Sequence, residues 1–381
     1  MDARLRRLLL ALSILVLCGG CTLGPARRAQ VDARIAQAHA SSPACTDTAA
    51  CQPRPSPFHA LMEADDGRHR VLILNRGADA LRLRLHLVRA ARRSIDIQTF
   101  IFQDEGSTEF LLAELLAAAR RGVRVRVLVD QLLSINQVDR LAQLALAHPN
   151  FEMKFFNPTF REARTQAWEY VASGLCCFRR FNQRMHNKLF AVDGRLAIIG
   201  GRNYRDSYYD LNPAFAYYDR ELLVLGPATA DMLASFERFW RHRHASPLAH
   251  LADVGRALLA GREGDGPLAR LPAEDSPLLA RLRALAADAD DLQLVRERFV
   301  VPLREVAQLR FVSDRPSKIG SRRPHANASS RAIRGLLARA RKEVLLQTPY
   351  LVMDRSARQL FRLSLIYLPI VLISLVLDLR G

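Results

Sequence analysis

The chain has 381 residues, of which 49% are hydrophobic and 25% charged, and this composition excludes a disordered or fibrous protein. Its length is sufficient to bury a large core and predicts two domains. The formal net charge of +18 favours anionic partners, such as phospholipid headgroups or nucleic acid. Only four of the 56 basic residues are lysines, so each lysine is a better functional candidate than lysines usually are.

The N-terminus has the pattern of an export signal. A basic segment precedes the apolar run 8–17, and two glycines then lead to Cys21. Small residues before a cysteine resemble a bacterial lipoprotein box, in which Cys21 would be lipidated and become the new N-terminus. The alternatives are an ordinary signal peptide over residues 1–20 or an uncleaved anchor. Each interpretation predicts a chain outside the cytoplasm, and the lipoprotein interpretation predicts one anchored to a membrane and facing the periplasm.

The cysteines after the signal suggest structural roles. Residues 21–56 are rich in Ala, Ser, Pro and Thr and are predicted to be a linker after the lipid anchor. Cys45 and Cys51 flank a short polar loop and could form a disulfide in an oxidising compartment. Cys176 and Cys177 lie in an apolar stretch and are expected to pack as small hydrophobic side chains. No Cys or His spacing predicts a metal site.

Helix and strand signals alternate through the next part of the chain. Strand patterns at 94–102 and 123–130 enclose a helical pattern at 109–121, which predicts a βαβ unit. A helix at 81–93 precedes that unit. Further strands are predicted at 151–156, 188–199 and 221–225, and a helix at 232–243. The predicted fold is α/β, with a central mixed sheet flanked by helices over residues 57–250.

An internal repeat predicts a second lobe of the same type. The sequence ARRSIDIQTF at 91–100 aligns without gaps to ARKEVLLQTP at 340–349. A connecting helical region is therefore expected at 251–290 and the start of the second lobe at 291–362. The apolar tail 363–381 then departs from the first copy. The favoured interpretation is that this tail replaces the rest of the lobe, and the alternative is a C-terminal membrane segment.

The segment 185–203 reads MHNKLFAVDGRLAIIGGRN and has the pattern of two strands joined by a tight turn. Asp193 and Gly194 give a strong hairpin signal, because both tolerate the positive φ that such turns require. Successive side chains of a strand point to opposite faces, so His186 and Lys188 are predicted to point the same way. An imidazole and an ammonium are therefore expected side by side on one surface.

The end of the second strand is suited to an anion. Gly200 and Gly201 would let the backbone approach a bound anion closely, and the amide of Asn203 is a donor. A neutral histidine can attack phosphorus and form a covalent phosphoenzyme, which divides one difficult displacement into two easier ones. Lys188 and Asn203 are the donors expected to meet the charge that builds on the non-bridging oxygens. The pattern predicts phosphodiester chemistry without a metal or other cofactor.

This set of residues resembles the defining motif of the phospholipase D superfamily, with the spacing His186-x-Lys188, four residues, Asp193, six residues, Gly200-Gly201-x-Asn203. In that family the histidine is the nucleophile or the acid, the lysine and asparagine bind phosphate, and the aspartate has a supporting role. The resemblance implies a catalytic set of His186, Lys188 and Asp193, and phosphate binding by Lys188, Asn203, Gly200 and Gly201.

A wider likeness, over about residues 60–362, is to the exported, two-lobed cardiolipin synthases of bacteria. It rests on the segments 95–131, 201–210 and 217–240 and on VSDRPSK at 312–318, where Lys318 is interpreted as a surface lysine. The resemblance implies that a phosphatidyl group passes through a phosphohistidine to a hydroxyl of phosphatidylglycerol. Membrane phospholipids of the phosphatidylglycerol class are therefore the expected partners.

The family pairs two such motifs, whereas this sequence has one His-x-Lys. One histidine of the pair acts as the nucleophile and the other as the general acid, so a homodimer could complete the site. Little phosphatidyl transfer is expected from the chain alone. Two other hypotheses remain: a phosphodiesterase of another specificity, such as a nuclease, which the positive charge would suit, and an inactive fragment that only binds phosphate headgroups.

Overall fold

The computed structural model describes residues 23–42, 45, 51–64, 66–316 and 328–344. In these residues nine strands form one mixed sheet in the order β8-β4-β3-β2-β5-β6-β7-β1-β9. The pairs β2–β3 and β3–β4 are parallel, and all the other neighbouring pairs are antiparallel. The strands are β1 (His69–Leu74), β2 (Ser94–Phe102), β3 (Arg124–Ser134), β4 (Phe151–Phe156), β5 (Leu189–Val192), β6 (Leu196–Gly200), β7 (Glu221–Leu225), β8 (Ala245–Pro247) and β9 (Arg304–Val306).

Helices lie on both faces of this sheet, so the predicted α/β class is confirmed. Those with described bounds are α1 (Pro25–Ala40), α2 (Phe58–Glu63), α3 (Gly77–Ala90), α4 (Gly106–Arg120), α5 (Val138–Ala145), α6 (Ala167–Cys176), α7 (Phe178–Phe181), α8 (Ala228–Trp240), α9 (Ala252–Leu259), α10 (Pro277–Asp288), α11 (Leu292–Val295) and α12 (Ala328–Arg339). Short 3₁₀ turns follow β4 and β6, and a π turn, Arg296–Val300, follows α11.

The predicted βαβ unit is present as β2, α4 and β3. Ile95 pairs with Val125 and Thr99 with Val129 in a parallel ladder. Most residues of both strands are buried because helices cover the sheet on both sides, and the buried set includes the polar residues Asp96, Gln98 and Asp130. The strand β3 continues to Ser134, beyond the predicted end at residue 130.

Two hydrophobic clusters fill the two faces of the sheet. The larger one packs α3, α4, α5, α9 and α10 against one face, and Leu83, Leu112 and Leu141 are completely buried in it. The smaller one packs α8 against the other face through Met232 and Phe236. The sheet thus forms the middle layer of three, and its strand ends are left to build a site.

The prediction of a linker at residues 21–56 is wrong for residues 25–40, which form helix α1. Val31 is completely buried, and Ile35 packs against the same core. Leu23 lies so close to Gly255 of α9 that a side chain on that glycine would collide with it. Only a few apolar residues attach this helix to the core. Because alanines and arginines surround them, their helical spacing is not visible in the sequence.

The segment 292–306 differs from its predicted place at the start of a second lobe. Val295 and Phe299 lie in the larger cluster, and β9 pairs with β1 at the edge of the sheet. The described residues up to Ser329 form one compact unit, and those from Ser330 form another. Of the second unit, residues 330–344 are described, and α12 ends within it at Arg339. The tail 363–381 lies outside the described residues.

The cysteines form two disulfides. Cys45 and Cys51 are bonded, as the sequence suggested. Cys176 and Cys177 are bonded to each other and exposed, so the prediction that they pack as small hydrophobic side chains is wrong. Cys21 and the signal pattern lie outside the described residues, as does Lys318. Within the described part of the chain, no helix has both the length and the apolar character needed to cross a bilayer.

Candidate active site

The hairpin predicted around Asp193 and Gly194 is present. Val192 pairs with Leu196, and the two turn residues have φ of 51° and 72°. Positive φ at both central residues of the β-turn Val192–Arg195 is the geometry of a type I′ turn, which explains this Asp-Gly pair. Because Arg195 also precedes the pairing at Leu196, the hairpin loop is three residues long. The strand β5 is completely buried between β2 and β6. Its N-terminal end therefore holds the residues that precede it in a defined position.

His186 and Lys188 lie side by side immediately before β5. The Lys188 ammonium Nζ is 3.4 Å from both the Nδ1 and the Nε2 atom of His186 and 3.0 Å from its backbone carbonyl oxygen. The imidazole is exposed, and its ring centroid lies 4.9 Å from that of Phe100. The predicted shared face is therefore observed, although the strand begins at Leu189 rather than at Lys188.

The residue before the histidine is fixed to the sheet. The backbone N–H of Met185 donates to the Asp130 carboxylate at 2.8 Å, and the Gln98 side-chain amide contacts the Met185 sulfur at 3.0 Å. Arg184 Nη1 lies 3.1 Å from the same Asp130 carboxylate. The C-terminal ends of β2 and β3 thereby hold His186 at the surface while Met185 is buried.

A cavity of about 300 Å³ opens beside these two side chains. His186, Lys188 and Gly200 line it together with Gln98. The remaining wall consists of Asn187, Leu189, Ile199, Met232, Ser235 and Ser329, together with residues 311–314. The sequence pattern does not assign Gln98 or Ser235 to a site, although both lie in segments that resemble cardiolipin synthases. The wall at 311–314 overlaps the segment VSDRPSK at 312–318, which resembles cardiolipin synthases in sequence.

Electrostatics at this cavity centre on Lys188. Burial lowers the pKa of Lys188 from 10.5 to about 8, and the negative charge of Asp219 opposes that shift. Because the unfolded chain binds more protons between these two values, the contribution of Lys188 to stability rises with pH across that window. An anion bound beside Lys188 would favour its charged form, so the free protein holds a cation that is poised to bind a phosphate.

We expect phosphodiester binding to weaken above about pH 8, because neutral Lys188 no longer attracts the anion. Glycerophosphoglycerol keeps one negative charge over this range, and its affinity should fall about tenfold for each pH unit above 8. Titration calorimetry between pH 7 and 10 measures this. Lys188→Arg should make the affinity independent of pH, whereas Lys154→Arg, at a lysine packed on Trp240, should leave the fall unchanged. A constant affinity in the unsubstituted protein would contradict the assignment.

Asp193 is placed away from His186, at the other end of β5, about 15 Å along the strand. Its carboxylate accepts hydrogen bonds from the backbone N–H groups of Arg92, Arg93 and Ser94, at 2.7 to 3.2 Å. These groups follow the C-terminus of α3 and begin β2. The structure therefore does not bring Asp193 to the catalytic set, and its contacts join the hairpin turn to the start of β2.

We expect Asp193→Ala to lower the free energy of unfolding by about 2–4 kcal/mol, because three partly buried backbone N–H groups lose a charged acceptor. Urea denaturation measures this, and Asp275→Ala, at an exposed aspartate, should change stability far less. The folded variant should retain its phosphodiester affinity. Normal stability with lost affinity would instead place Asp193 in the site.

Asn203 and Gly201 lie outside the lining of this cavity. Asn203 is buried; its Oδ1 accepts from the Ile101 N–H at 3.0 Å, and its Nδ2 donates to the Tyr208 hydroxyl at 2.9 Å. Neither Asn203 nor Gly201 is among the described residues that line the cavity. A Cβ on Gly201 would lie 2.0 Å from an Asp219 oxygen, so this glycine allows that carboxylate to approach. Only Gly200 of the predicted glycine pair faces the cavity.

The described residues contain no group of three or more His, Cys, Asp or Glu side chains that could hold a metal ion. His242 and His244 pack with their ring centroids 4.8 Å apart, and both contact Phe156.

Residues 85–240 match the family model described as cardiolipin synthase, phospholipase D-like domain. This chain contains a phospholipase D-like domain. Cardiolipin synthase C of Escherichia coli is 37% identical over 190 residues, which cover 50% of this chain and 39% of that protein. An uncharacterized protein of Helicobacter pylori is 31% identical over 296 residues, which cover 76% of this chain and 56% of that protein. The chain thus spans about two fifths to just over half the length of these relatives.

Among solved structures, NucT from Helicobacter pylori is similar with a TM-score of 0.34 at 13% sequence identity, covering 47% of this chain and 99% of that chain. A likeness at this level carries no argument about substrate. The phospholipase D-like domain contains His186, Lys188 and the strands that position them, and the wall at 311–314 lies beyond it.

Proposed function

We propose that this chain is a phospholipase D-type phosphatidyltransferase that acts on membrane phospholipids through His186, with cardiolipin synthesis as its preferred reaction. The observation that carries the proposal is the Lys188 ammonium 3.4 Å from both imidazole nitrogens of His186 at the wall of an open cavity. The likeness of residues 85–240 to cardiolipin synthase domains supports a phospholipid rather than another phosphodiester.

The reaction proceeds in two displacements. A ring nitrogen of His186 attacks the phosphorus of one phosphatidylglycerol, the bond from phosphorus to the glycerol oxygen breaks, and that oxygen takes a proton. A hydroxyl of a second phosphatidylglycerol then loses its proton and attacks the phosphohistidine, and the phosphorus–nitrogen bond breaks. Lys188 donates to the non-bridging oxygens in both steps. The products are cardiolipin and glycerol.

A second copy of the chain supplies the general acid in this proposal. Protonation of a glycerol leaving group requires a positioned acid, and two copies that meet at His186 would provide one histidine for each role. Lipidation at Cys21 and export would hold both copies at the membrane surface that carries the substrate. The sequence pattern at residues 8–21 supports this location facing the periplasm.

Vesicles that contain radiolabelled phosphatidylglycerol test the proposal. Since one copy alone is expected to transfer little, labelled cardiolipin and free glycerol should form only as two copies meet, at a rate that rises faster than in proportion to protein concentration. The reaction is expected to continue in EDTA because no step requires a metal. His186→Ala should stop it. Labelled phosphatidic acid without cardiolipin would indicate a hydrolase instead.

The net charge of +18 favours a nuclease as the second candidate. Cleavage of single-stranded DNA that is lost in His186→Ala, without any turnover of phospholipid, would establish that alternative. Binding of glycerophosphoglycerol through Lys188 without turnover of any phosphodiester would instead identify a protein that only binds headgroups.

A further inference from the structure

Helix α6, Ala167–Cys176, shows its apolar side chains to solvent and buries its polar ones. Glu169 and Ser173 are each only 1% exposed, whereas Trp168, Val171 and Leu175 are 62%, 65% and 85% exposed. Positions 168, 171 and 175 lie on one face of a helix. A helix of a water-soluble domain normally buries such a face, so this arrangement is the inverse of the usual one.

Contacts within α6 and its N-cap satisfy the buried polar groups. The Gln166 N–H donates to the Glu169 carboxylate at 2.5 Å, and the two residues form a capping box at the helix N-terminus. The Ser173 hydroxyl donates to the Tyr170 carbonyl at 2.9 Å. Burial raises the pKa of the Glu169 carboxyl. The polar face of the helix is therefore buried with its groups hydrogen-bonded, and the apolar face is the one exposed to solvent.

Residues next to α6 enlarge the apolar surface and add positive charge. Phe178, the first residue of α7, is 60% exposed. The rings of Trp168 and Phe160 are stacked with their centroids 6.2 Å apart. Arg161 and Arg164 are exposed just before the helix. In sequence, the segment 159–184 carries five arginines against two glutamates. Tryptophan and tyrosine beside arginines are typical of segments that lie at the surface of an anionic bilayer.

We propose that α6 and the turn through Phe178 dock into the interface of an anionic phospholipid bilayer. The exposed face of Trp168, Val171 and Leu175 enters the boundary between headgroups and acyl chains, and the flanking arginines remain among the anionic headgroups. This inference rests on the proposed action on phospholipids, because the same segment leads directly into His186. Docking there holds the cavity against the layer of headgroups that contains its substrate.

Trp168 can report its own insertion. The chain has two tryptophans, and the other, Trp240, is buried at the C-terminal end of α8. In the full chain carrying Trp240→Phe, vesicles of phosphatidylglycerol with brominated acyl chains are expected to quench at least about half of the Trp168 emission, because bromine and indole share the same depth. Vesicles of phosphatidylcholine alone should quench less. Since quenching reads the depth of Trp168 itself, a membrane anchor elsewhere in the chain does not mimic it.

Substitutions on the exposed face supply the second measurement. Val171→Ser with Leu175→Ser should reduce the quenching at least about fivefold, because the inserted area falls. The matched control is Val301→Ser, at a valine that is 69% exposed elsewhere, and it should leave the quenching unchanged. If Trp240→Phe does not fold, the same two sets of serine substitutions are compared in the protein that retains Trp240. Flotation with the vesicles then measures the fraction of protein bound.

Some outcomes would overturn the proposal. Trp168 emission that is unaffected by brominated vesicles would mean that this face does not enter a bilayer. A dimer that dissociates on Val171→Ser with Leu175→Ser, with no change in quenching, would assign the face to a second copy of the chain.

Docking and catalysis can fail separately. His186→Ala should dock as the unsubstituted chain does. An unsubstituted chain that docks but turns over no phospholipid would refute only the proposed function. Conversely, the double serine variant should hydrolyse soluble bis(p-nitrophenyl) phosphate at the unsubstituted rate while its turnover of phosphatidylglycerol in vesicles falls. Equal losses on both substrates would indicate damage to the fold rather than to docking.

Discussion

His186→Ala is expected to reduce turnover of bis(p-nitrophenyl) phosphate by at least about 1000-fold, because it removes the only atom proposed to attack phosphorus. The p-nitrophenolate leaving group departs without protonation, so this substrate does not require the general acid that a second copy supplies. The measurement therefore isolates attack by His186 and charge stabilisation by Lys188. Release of p-nitrophenolate at pH 7, followed by absorbance, gives the rate.

A matched control separates this effect from a general change in charge or solubility. His250→Ala removes a histidine that pairs with Asp32 at 2.8 Å in a turn outside the cavity, and it should retain the full rate. His186→Ala that keeps more than about a tenth of the rate would show that another group is the nucleophile.

Glu221→Ala is expected to lower the free energy of unfolding by about 3–5 kcal/mol, because it leaves buried guanidinium charge uncompensated. Arg84 and Glu221 are 3% and 1% exposed at their side chains and form two hydrogen bonds, at 2.9 and 2.5 Å. Arg202 lies 3.6 Å from the same carboxylate. Glu221 begins β7 and pairs with Gly200, so the loss is also expected to loosen that wall of the cavity.

Urea denaturation with two comparison variants checks this prediction. Glu305→Ala removes an exposed partner of Arg68 and should cost less than about 1 kcal/mol. Arg84→Met with Glu221→Leu should recover most of the lost stability, because neither charge of the pair remains and Arg202 keeps the carbonyls of Leu74 and Asn75 as acceptors. A small effect of Glu221→Ala alone would mean that water reaches the site and solvates Arg84.

The parts of the fold that could be predicted are those with local signals. The strand Ser94–Phe102 has the predicted bounds, since β-branched residues occupy every second position from Ile95 to Ile101, which favours a strand. The Asp193-Gly194 turn fixes which residues face each other in the hairpin, and the alternation of side chains then brings His186 and Lys188 together.

Contacts between distant residues could not be predicted in the same way. Helix α1 depends on Val31 and Ile35 meeting a core built by residues far along the chain. Strand β9 is three residues long, and only its pairing with β1 identifies it. The wall at 311–314 reaches the cavity in part through Ser313, whose hydroxyl lies 2.9 Å from that of Ser235. None of these contacts has a signal within a short window of sequence.

The family pattern also could not distinguish residues that act from residues that hold the site. Asp193 and Asn203 occupy motif positions, yet their side chains bond to protein groups and do not line the cavity. Asp219 lies outside the motif, and its charge acts on Lys188. The spacing of residues along the chain identifies the motif. What each residue contacts depends on the direction of its side chain, which the spacing does not give.

Capture of the covalent intermediate tests the account most directly. The chain is mixed with bis(p-nitrophenyl) phosphate, quenched in alkali, in which a phosphorus–nitrogen bond survives, and digested for mass spectrometry of the peptide that contains residue 186. The account predicts a p-nitrophenyl phosphoryl group on the His186 imidazole, with none in Lys188→Ala at the same time point. Steady turnover with an unmodified His186, or the phosphoryl group on a different side chain, would contradict it.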